Sequence, residues 1–368
     1  MRITFDYQIF TFQQYGGISR YYYELIDGIR KGGEHEAAVA LTISNNAYLN
    51  PHTYPGIYSL LPEKEFKGKH RLIEWVNRNK SLRAARNGKY DIFHPTYYDP
   101  YFIETIGNRP YVTTFLDMIH EKFSHEFADL KQDSQVVAKK REILEKARGV
   151  IAISQQTKND IVDLFKVNPD KIKVIYLGSS LNANATTDFQ GFDFPYLLHV
   201  GNRNGYKNFS NLLKSVKSVF SKYSDIKLVC AGGGNFNKEE LEVFAGMGVQ
   251  DRIVYTSIDN AKLAKLYRNA LAFIFPSLYE GFGIPVVEAF SCGAPCILST
   301  GGSLPEVGED AAVYFNPRDP ESIAAAIENV LSDESLRKSL IKKGYEQEKK
   351  FTWAKTVEET LAYYKEII

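Results

Sequence analysis

The stretch LAFIFPSLYEGFGIPVVEAFSCGAPCIL, residues 271–298, passes from an apolar run through a glycine-rich turn into a helical segment and a second apolar run. Its spacing predicts a strand over 271–275, a helix over 284–291 and a strand over 295–298. Short buried strands joined by a helix are typical of βαβ units in parallel sheets. This stretch therefore predicts an α/β fold.

The same alternation extends outward over nearly the whole chain. Further strands are predicted at 2–7, 91–94, 111–115, 150–153, 173–176, 196–200, 227–230, 253–255 and 313–315, and further helices at 208–223, 260–268, 320–331 and 334–351. Periodicity stops before 195, where Asn, Ala, Thr and Gly dominate. We therefore predict two Rossmann-like domains, 1–182 and 195–351, joined by a linker at 183–194. Ligands then belong in a cleft at the C-terminal ends of the strands.

Length and composition exclude several classes of protein. The chain has 368 residues, of which 44% are hydrophobic and 24% charged, as expected for a globular protein with two domains. The 45 Lys and Arg residues nearly balance the 44 Asp and Glu residues, so bulk charge predicts no nucleic-acid partner. Cys230, Cys292 and Cys296 form neither a disulfide framework nor a C-x-x-C site. Without a signal peptide or a spanning apolar run, we expect a cytoplasmic protein.

Two glycine motifs have different predicted uses. Gly16 and Gly17 follow the first strand and open a helix, where backbone could approach a phosphate at the helix N-terminus. A plain strand-to-helix turn would also use these glycines. The run Gly232-Gly233-Gly234 lacks the spacing of a dinucleotide fingerprint, and we interpret it as a tight turn.

Two other motifs carry charge toward the expected cleft. The loop that opens at Gly201, after the strand at 196–200, holds Arg203 and Lys207, which could meet a diphosphate; the alternative is a solvated loop. Glu280 and Glu288 stand eight residues apart around Gly281 and Gly283. Both carboxylates can face one cleft, where they could accept hydrogen bonds from sugar or ribose hydroxyls. Solvated glutamates at the helix start are the alternative.

These motifs together resemble the family-4 retaining glycosyltransferases of GT-B fold, which build bacterial capsule, O-antigen and other surface polysaccharides. The resemblance rests on the Glu280-x7-Glu288 element, on Gly293-Ala294-Pro295, on the segment 301–307 (GGSLPEV) and on Asp310-Ala311-Ala312. Gly16-Gly17, the segment 91–96 (DIFHPT) and Lys207-Asn208 also fit. It covers essentially the full length and implies two domains facing across a cleft, with a C-terminal helix at 352–368 that crosses back to the N-terminal domain.

The resemblance implies roles for the matching positions. Arg203 and Lys207 would neutralise the donor diphosphate, Glu288 would bind the ribose, and Glu280 would hold the sugar hydroxyls. The N–H groups of Phe282, Gly283 and Ile284 would hold the same sugar, and Gly16 and Gly17 would let the N-terminal domain approach the phosphates. No D-x-D motif occurs in the sequence, which fits a diphosphate stabilised by cations. We therefore expect no metal and no cofactor beyond the nucleotide-sugar donor.

One position departs from the family pattern. Relatives commonly carry a His-Asp pair after the strand at 111–115, whereas this chain keeps Asp117 and has Leu116 in place of the histidine. His120, three residues after Asp117, could substitute for it. The alternatives are that this position tunes donor choice or that His120 is an ordinary polar surface residue.

Basic residues cluster with apolar ones between 63 and 89. Nine Lys or Arg residues face three glutamates there, with Trp75 and several aliphatic residues among them. Such a segment could lie on an anionic membrane, at the inner face of the cell membrane. The alternative is a solvated helix whose apolar side is part of the core.

We expect an enzyme, a retaining hexosyltransferase that uses a nucleotide-diphosphate sugar and a glycan or lipid-linked glycan acceptor in surface polysaccharide synthesis. Overall resemblance to polysaccharide mannosyltransferases favours GDP-mannose, with a UDP-sugar as the alternative donor. Two other functions stay open, a GT-B sugar-nucleotide epimerase and a sugar-nucleotide-binding protein without catalytic activity.

Overall fold

The structure of the protein is a computed structural model that describes residues 1–64, 66–127, 130 and 134–368. Glu65, which belongs to the basic segment 63–89, lies outside the described residues. The chain forms two units. The first contains Met1–Glu121, Lys131–Leu177 and Trp353–Ile368, and the second contains Lys122–Leu130 and Gly178–Thr352.

The elements up to residue 177 alternate between strands and helices. The strands are β1 (Arg2–Phe5), β2 (Glu36–Val39), β3 (Ile92–His94), β4 (Val112–Phe115), β5 (Gly149–Ala152) and β6 (Ile172–Val174). The helices are α1 (Gln8–Phe12), α2 (Gly17–Gly32), α3 (Lys69–Asn87), α4 (Ile103–Ile106), α5 (Ile119–Phe123), α6 (Ser134–Lys146) and α7 (Gln155–Phe165).

The second unit repeats the alternation, and one helix follows it. The strands are β7 (Tyr196–Val200), β8 (Lys227–Ala231), β9 (Ile253–Thr256), β10 (Ala272–Phe275), β11 (Cys296–Ser299) and β12 (Ala312–Phe315). The helices are α8 (Phe209–Lys222), α9 (Lys238–Met247), α10 (Asn260–Asn269), α11 (Ile284–Ser291), α12 (Leu304–Gly308), α13 (Pro320–Ser332) and α14 (Glu334–Glu348). The final helix, α15 (Trp353–Ile367), belongs to the first unit.

Every strand pairing between these elements is parallel. In the first unit the described strands form the orders β2-β1-β3 and β4-β5-β6, which a parallel bridge between Phe93 and Tyr111 joins. In the second unit the described strands run in the order β12-β11-β10-β7-β8-β9. This order reverses direction between β7 and β10, as in a doubly wound Rossmann sheet. The predicted α/β fold class is confirmed.

The core of the second unit comes from apolar helix faces on buried strands. Leu212, Val216 and Val219 recur at helical spacing on α8 and are fully buried against the sheet. Burial of one such side chain stabilises the fold by about 1.5–3 kcal/mol. The first unit has a separate core cluster, which includes Phe93, Phe115 and other buried side chains of its strands and helices.

Helix α15 packs against the first unit, as the predicted crossing of the C-terminal helix requires. A Cβ atom at Gly28 of α2 would lie 2.6 Å from Val357, so a glycine is needed for this close approach. Thr356 donates to the Tyr176 carbonyl over 2.8 Å, and the buried Tyr364 hydroxyl contacts His94 of β3. The predicted crossing is confirmed.

The segment 183–194 contains no helix or strand among its residues, all of which are described. Its aromatic rings nevertheless pack on the second unit. Phe192 lies edge-on to Tyr196 of β7, and Lys262 of α10 lies over the ring of Phe189. The chain passes between the two units before this segment, at Leu177 and Gly178.

Some elements differ from the predicted ones. The strand predicted at 2–7 ends at Phe5 because Tyr7 already has helical backbone angles before α1. Strand β2 was not predicted, since Glu-Ala-Ala-Val is short and only its last residue, Val39, is of a type that is enriched in strands. Helix α9 was also not predicted, although Asn237 and Glu240 form a capping box at its start.

Candidate functional site

The two charged motifs of the second unit lie at neighbouring positions of its sheet. The loop with Arg203 and Lys207 follows β7, and the loop with Glu280 follows β10. β7 and β10 are paired, and the strand order reverses between them. In doubly wound sheets, ligands bind at the carboxyl ends of the strands at this switch point. The fold therefore brings both loops to the place where a ligand is expected.

Lys207 and Glu280 form an ion pair at this edge. The distance from Lys207 Nζ to Glu280 Oε1 is 2.7 Å, and the two side chains are 20% and 13% exposed. Burial lowers the pKa of the Lys207 ammonium, but the Glu280 carboxylate outweighs it and the pKa is raised above its ordinary value. The pair therefore places one fixed positive charge and one fixed carboxylate side by side at the switch point.

The backbone of Glu280 rests on a second glycine-rich loop. A Cβ atom at Gly302 would lie 2.4 Å from the Glu280 carbonyl oxygen and 2.6 Å from its nitrogen. Ser303 donates to the same carbonyl through its N–H and its hydroxyl, each over 3.1 Å. The segment 301–307 thus supports the turn that carries Glu280. The sequence identified this segment as a family motif but not as the support of that turn.

Glu288 lies on α11, the helix that follows the loop with Glu280. Gly283 caps this helix with φ +97°, and the residue after Ile284 is a proline, which suits the first turn of a helix. Glu288 is 5% exposed. Burial and the neighbouring Glu288 carboxylate raise the pKa of Tyr267 on α10. Glu288 is therefore a largely buried carboxylate, while Glu280 lies in the loop before its helix.

Arg203 makes a different set of contacts from Lys207. Its Nε donates to Glu240 Oε1 over 2.6 Å, and its terminal nitrogens donate to Glu240 Oε2 and to three backbone carbonyls. The carbonyls belong to Gly232, Gly234 and Asn235. The Arg203 side chain is 4% exposed. The structure thus places Arg203 beside Glu240, a residue that the sequence did not identify and whose signal was the capping box of α9.

The first unit contains the remaining predicted residues. Gly16 has an extended backbone with φ 171°, and a Cβ atom there would lie 2.5 Å from the end of the Gln13 side chain. Gly17 begins α2, and a Cβ atom there would meet no described atom within 4 Å. The two glycines therefore lie between α1 and α2 and do not follow β1 directly as predicted, because α1 intervenes. They leave the start of α2 open on the Gly17 side.

The segment after β4 contains Asp117, Leu116 and His120. Asp117 accepts the Ile119 N–H over 3.1 Å, and Leu116 is buried. The buried Nδ1 atom of His120 has no hydrogen-bond partner among the described residues. Beside it, Lys140 and Glu121 form a buried ion pair at 3.1 Å, and Lys140 also donates to the Asp117 carbonyl. The segment is thus anchored from α6, and His120 keeps a ring nitrogen that could accept or donate a hydrogen bond.

Helix α3 contains most of the basic segment 63–89, and two of its apolar residues, Leu72 and Trp75, are exposed. The buried residues of α3 are Lys69, Asn77, Ser81 and Ala85. Leu72 and Trp75 are 45% and 65% exposed. The alternative interpretation, in which the apolar side of this helix belongs to the core, is wrong for Leu72 and Trp75. Within the described parts of the chain, no helix is both long enough and apolar enough to span a membrane.

Family models match both halves of the chain. Residues 15–182 match Glycosyltransferase Family 4, and residues 189–347 match Glycosyl transferases group 1. The O-antigen chain mannosyltransferase B of Escherichia coli is 29% identical over 295 residues, which are 77% of this chain and 76% of that protein. An uncharacterized glycosyltransferase of Methanocaldococcus jannaschii is 28% identical over 312 residues, 78% of either chain.

A similar fold occurs in a solved structure. Sucrose-phosphate synthase from Thermosynechococcus elongatus superposes with a TM-score of 0.78 at 20% identity, over 100% of this chain and 98% of that one. The predicted family, GT-B fold and enzyme class are thus confirmed. The chain belongs to the family-4 glycosyltransferases of GT-B fold, with a Glycosyltransferase Family 4 first half and a Glycosyl transferases group 1 second half.

Proposed function

We propose that the protein is a retaining hexosyltransferase that moves a hexose from a nucleotide-diphosphate sugar to a glycan or lipid-linked glycan. The Lys207–Glu280 pair at the switch point of the second unit carries this proposal. Transfer from such a donor needs a positive charge near the leaving diphosphate and an acceptor of hydrogen bonds near the sugar. The pair supplies both from adjacent loops.

Donor binding would exchange the partners of this pair. The diphosphate competes for Lys207, and the sugar hydroxyls donate to Glu280. Lys207 then faces the oxygen on which negative charge develops as the bond to the sugar breaks, which stabilises the transition state more than the ground state. The N–H groups of Phe282, Gly283 and Ile284 would bind the same sugar at the start of α11. Glu288 would accept hydrogen bonds from the ribose, and Gly201 would give close backbone access.

The reaction would retain the anomeric configuration. The bond between the anomeric carbon and the diphosphate oxygen breaks, and the acceptor oxygen forms its new bond on the same face. The acceptor proton passes to the departing diphosphate oxygen, so this scheme needs no separate protein base. In the first unit, Asp117 would orient the sugar and the Gly16-Gly17 turn would approach the phosphates. Because Lys207 supplies the positive charge, we propose that turnover requires no metal ion.

GDP-mannose is the proposed donor, and surface polysaccharide synthesis in the cytoplasm is the proposed context. The support is the likeness to the Escherichia coli O-antigen chain mannosyltransferase B over three quarters of the chain. A UDP-sugar is the alternative donor. An epimerase or a sugar-nucleotide-binding protein would share the same donor contacts but would lack transfer to an acceptor.

Incubation with GDP-mannose and UDP-sugars, with and without glycan acceptors, tests the proposal. We expect free nucleoside diphosphate and an elongated glycan only when an acceptor is present. Conversion of the donor sugar without an acceptor would indicate an epimerase instead. Binding without any conversion across the panel would indicate a protein without catalytic activity.

Variants of the Lys207–Glu280 pair test the site itself. Lys207→Ala should lower kcat roughly 10²–10³-fold, as loss of one donor to a developing negative charge does. Glu280→Gln should lower it about 10–100-fold, since a hydrogen bond to a charged group contributes about 1.5–3 kcal/mol. Lys222 and Glu328 form a matched exposed pair at 2.6 Å in the same unit. Lys222→Ala and Glu328→Gln should keep full turnover, and equal losses in both pairs would contradict the assignment.

We also propose that α3 docks on an anionic membrane that carries the acceptor. Leu72 and Trp75 are exposed one turn apart, and Arg71, Lys80, Arg83 and Arg86 on the same helix are exposed. Asn77 ties the opposite side to the fold through hydrogen bonds with Thr11 and Ile43. Exposed aromatic and aliphatic side chains among cations suit the interface of an anionic bilayer.

Sedimentation with vesicles tests this contact. Binding to vesicles that contain phosphatidylglycerol should exceed binding to pure phosphatidylcholine and should weaken as salt is raised. Leu72→Ser/Trp75→Ser should abolish most of it. The double variant Leu164→Ser/Tyr345→Ser removes apolar groups that are 39% and 43% exposed elsewhere, and it should bind like the unaltered protein. Equal binding by both double variants would overturn this assignment.

A further inference from the structure

Arg203 is held by a cluster of acceptors, which we call the Arg203 clamp: Glu240 and the carbonyls of Gly232, Gly234 and Asn235. Each of its three side-chain nitrogens donates at least one hydrogen bond within this cluster. The guanidinium carbon also lies 4.9 Å from the centre of the Phe236 ring. With its side chain 4% exposed, Arg203 is positioned like a structural group inside the fold.

Glu240 is well placed to anchor Arg203. Its Oε2 atom accepts the Asn237 N–H over 2.8 Å as part of the capping box, and both carboxylate oxygens accept from Arg203. Burial raises the pKa of Glu240, but the hydrogen bonds from Arg203 and Asn237 outweigh it and the pKa is lowered. The carboxylate is thus ionised and oriented from two directions, as a bidentate partner of an arginine must be.

The Arg203 clamp joins the loops that follow β7 and β8. Gly232, Gly233 and Gly234 all have positive φ, a backbone conformation that favours glycine, in the turn after β8. A Cβ atom at Gly233 would lie 2.4 Å from the Gly201 carbonyl oxygen and 3.1 Å from Arg203 Nη1. The turn is therefore in direct contact with the loop 201–207 that presents Lys207. Release of Arg203 would free both loops at once.

We propose that Arg203 is a positioning residue, that Glu240 is its anchor, and that the Arg203 clamp fixes the loop 201–207 so that Lys207, and not Arg203, meets the donor diphosphate. This inference rests on the proposed function for the role of Lys207. To bind a phosphate with its planar fork, Arg203 would need hydrogens of Nε or Nη2, which already serve Glu240 and the carbonyls of Gly234 and Asn235. Those acceptors would then lie partly buried without their donor. A lysine with one carboxylate partner exchanges that partner for a phosphate more readily.

Titration calorimetry with a nucleoside diphosphate distinguishes a positioning role of Arg203 from a phosphate-binding role. The two roles predict opposite changes in affinity for Glu240→Gln. In the clamp, Glu240→Gln weakens the hold on Arg203 and should lower the affinity about ten-fold, even though glutamine still suits the capping box. If Arg203 bound phosphate, Glu240→Gln would remove a competitor and leave the affinity unchanged or higher. Either of those results would overturn the inference.

Arg203→Lys and the double variant complete the cycle. Lysine keeps the charge but cannot reproduce the planar fork, so Arg203→Lys should lose as much affinity as Glu240→Gln. The double variant should lose no more nucleotide affinity than the single variant with the larger loss, because both changes release the same clamp. Additive losses would mean that Arg203 and Glu240 act separately, which contradicts the clamp.

Hydrogen exchange of the ligand-free protein tests the clamp without a nucleotide. In Glu240→Gln, amide exchange in 201–207 and 232–240 should accelerate together, whereas α13 and α15 should keep their rates. Unchanged exchange in the first two segments would overturn the inference. Lys207→Ala separates the two proposals. Unaltered nucleotide affinity in that variant would contradict the proposed role of Lys207, whereas hydrogen exchange would still test the clamp.

Discussion

At the scale of single residues, the site depends on atoms that hold the charged groups as much as on the charges. Glu280 keeps its position because Gly302 leaves room for its backbone and Ser303 donates twice to its carbonyl. Gly302 has φ +61°, a backbone conformation that favours glycine. A side chain at this position would therefore act on turnover through Glu280.

Gly302→Ala tests this dependence. We expect it to destabilise the fold by about 1–3 kcal/mol through overpacking, in addition to backbone strain, and to lower kcat because Glu280 moves. Gly248→Ala is the matched control, since Gly248 has φ +68° but a Cβ atom there would meet no described atom within 4 Å. In the control, chemical denaturation should show only the destabilisation caused by backbone strain, and initial rates should show an unchanged kcat. Equal effects of both substitutions on kcat would contradict the mechanism.

The residues of this site were only partly predictable from the sequence. Glu280 and Lys207 belong to motifs that directly follow strands, so their meeting at the switch point follows from the order of the elements. The contact of Arg203 with Glu240 joins residues 37 positions apart through the turn after β8. No local pattern marks such a pairing, because it depends on how two loops curl above the sheet. The motif spacing alone made Arg203 and Lys207 look equivalent.

At the scale of elements, two helices differ in how well the sequence pattern predicts their buried face. Helix α8 has its apolar residues on one buried face, and its existence follows from that spacing. Helix α3 buries Asn77 and Ser81 and exposes Leu72 and Trp75. Its anchoring depends on hydrogen bonds to distant segments, such as the one from Asn77 to Thr11, so periodicity gives no warning of which face is buried. β2 was missed for a related reason, since β1 supplies its pairing.

The contact of α15 with β3 makes the free energy of unfolding depend on pH, because it buries His94. His94 is fully buried between Tyr364 and Thr114, and burial lowers its pKa to about 3. In the unfolded chain a histidine has a pKa of about 6.5. Between these values only the unfolded state takes up the proton. The free energy of unfolding should therefore fall as the pH drops from 6.5 toward 3.

Urea denaturation between pH 4 and 6 measures this contribution. His94→Gln should lessen the slope of the unfolding free energy with pH by about 1.4 kcal/mol per pH unit, which corresponds to one proton. His35→Gln is a control, because this histidine precedes β2 and is only half-buried, beside the N-terminal amine. The interpretation fails if both variants keep the slope of the unaltered protein.

At the scale of the whole molecule, the two units have separate cores and separate sheets. The predicted architecture of two Rossmann-like units is confirmed because alternation of strands and helices is a property of long segments, which sequence patterns report well. The passage of Lys122–Leu130 into the second unit was not predicted. Phe123 packs on Tyr279, and Glu126 pairs with Arg318 at 2.8 Å, so contacts far along the chain decide where this segment lies.

Nucleotide binding should raise the stability of the protein in a way that identifies the donor base. A ligand at about 100 times its dissociation constant adds roughly 2.7 kcal/mol to the free energy of unfolding. We expect GDP to raise the melting temperature more than UDP at equal concentration, measured by thermal shift. A larger shift with UDP would overturn the choice of GDP-mannose and leave the glycosyltransferase assignment in place.

Removal of divalent ions tests the proposed use of Lys207 as the source of positive charge. Turnover should persist in excess EDTA, since the scheme for the leaving diphosphate does not include a metal ion. Initial rates with and without EDTA, each repeated after addition of Mg²⁺, give the measurement. Loss of activity that Mg²⁺ restores would contradict the metal-independent scheme.

The position of α15 in the first unit has a consequence for synthesis on the ribosome. Tyr363 and Ile367 cover Gly149 of β5, and Tyr363 donates to the Lys171 carbonyl beside β6. The unit that is translated first therefore lacks part of its packing until the residues around 363 have emerged. All described segments of the second unit precede Trp353 and are available earlier. Vectorial synthesis thus favours completion of the second unit while the first unit still exposes the surface that α15 will cover.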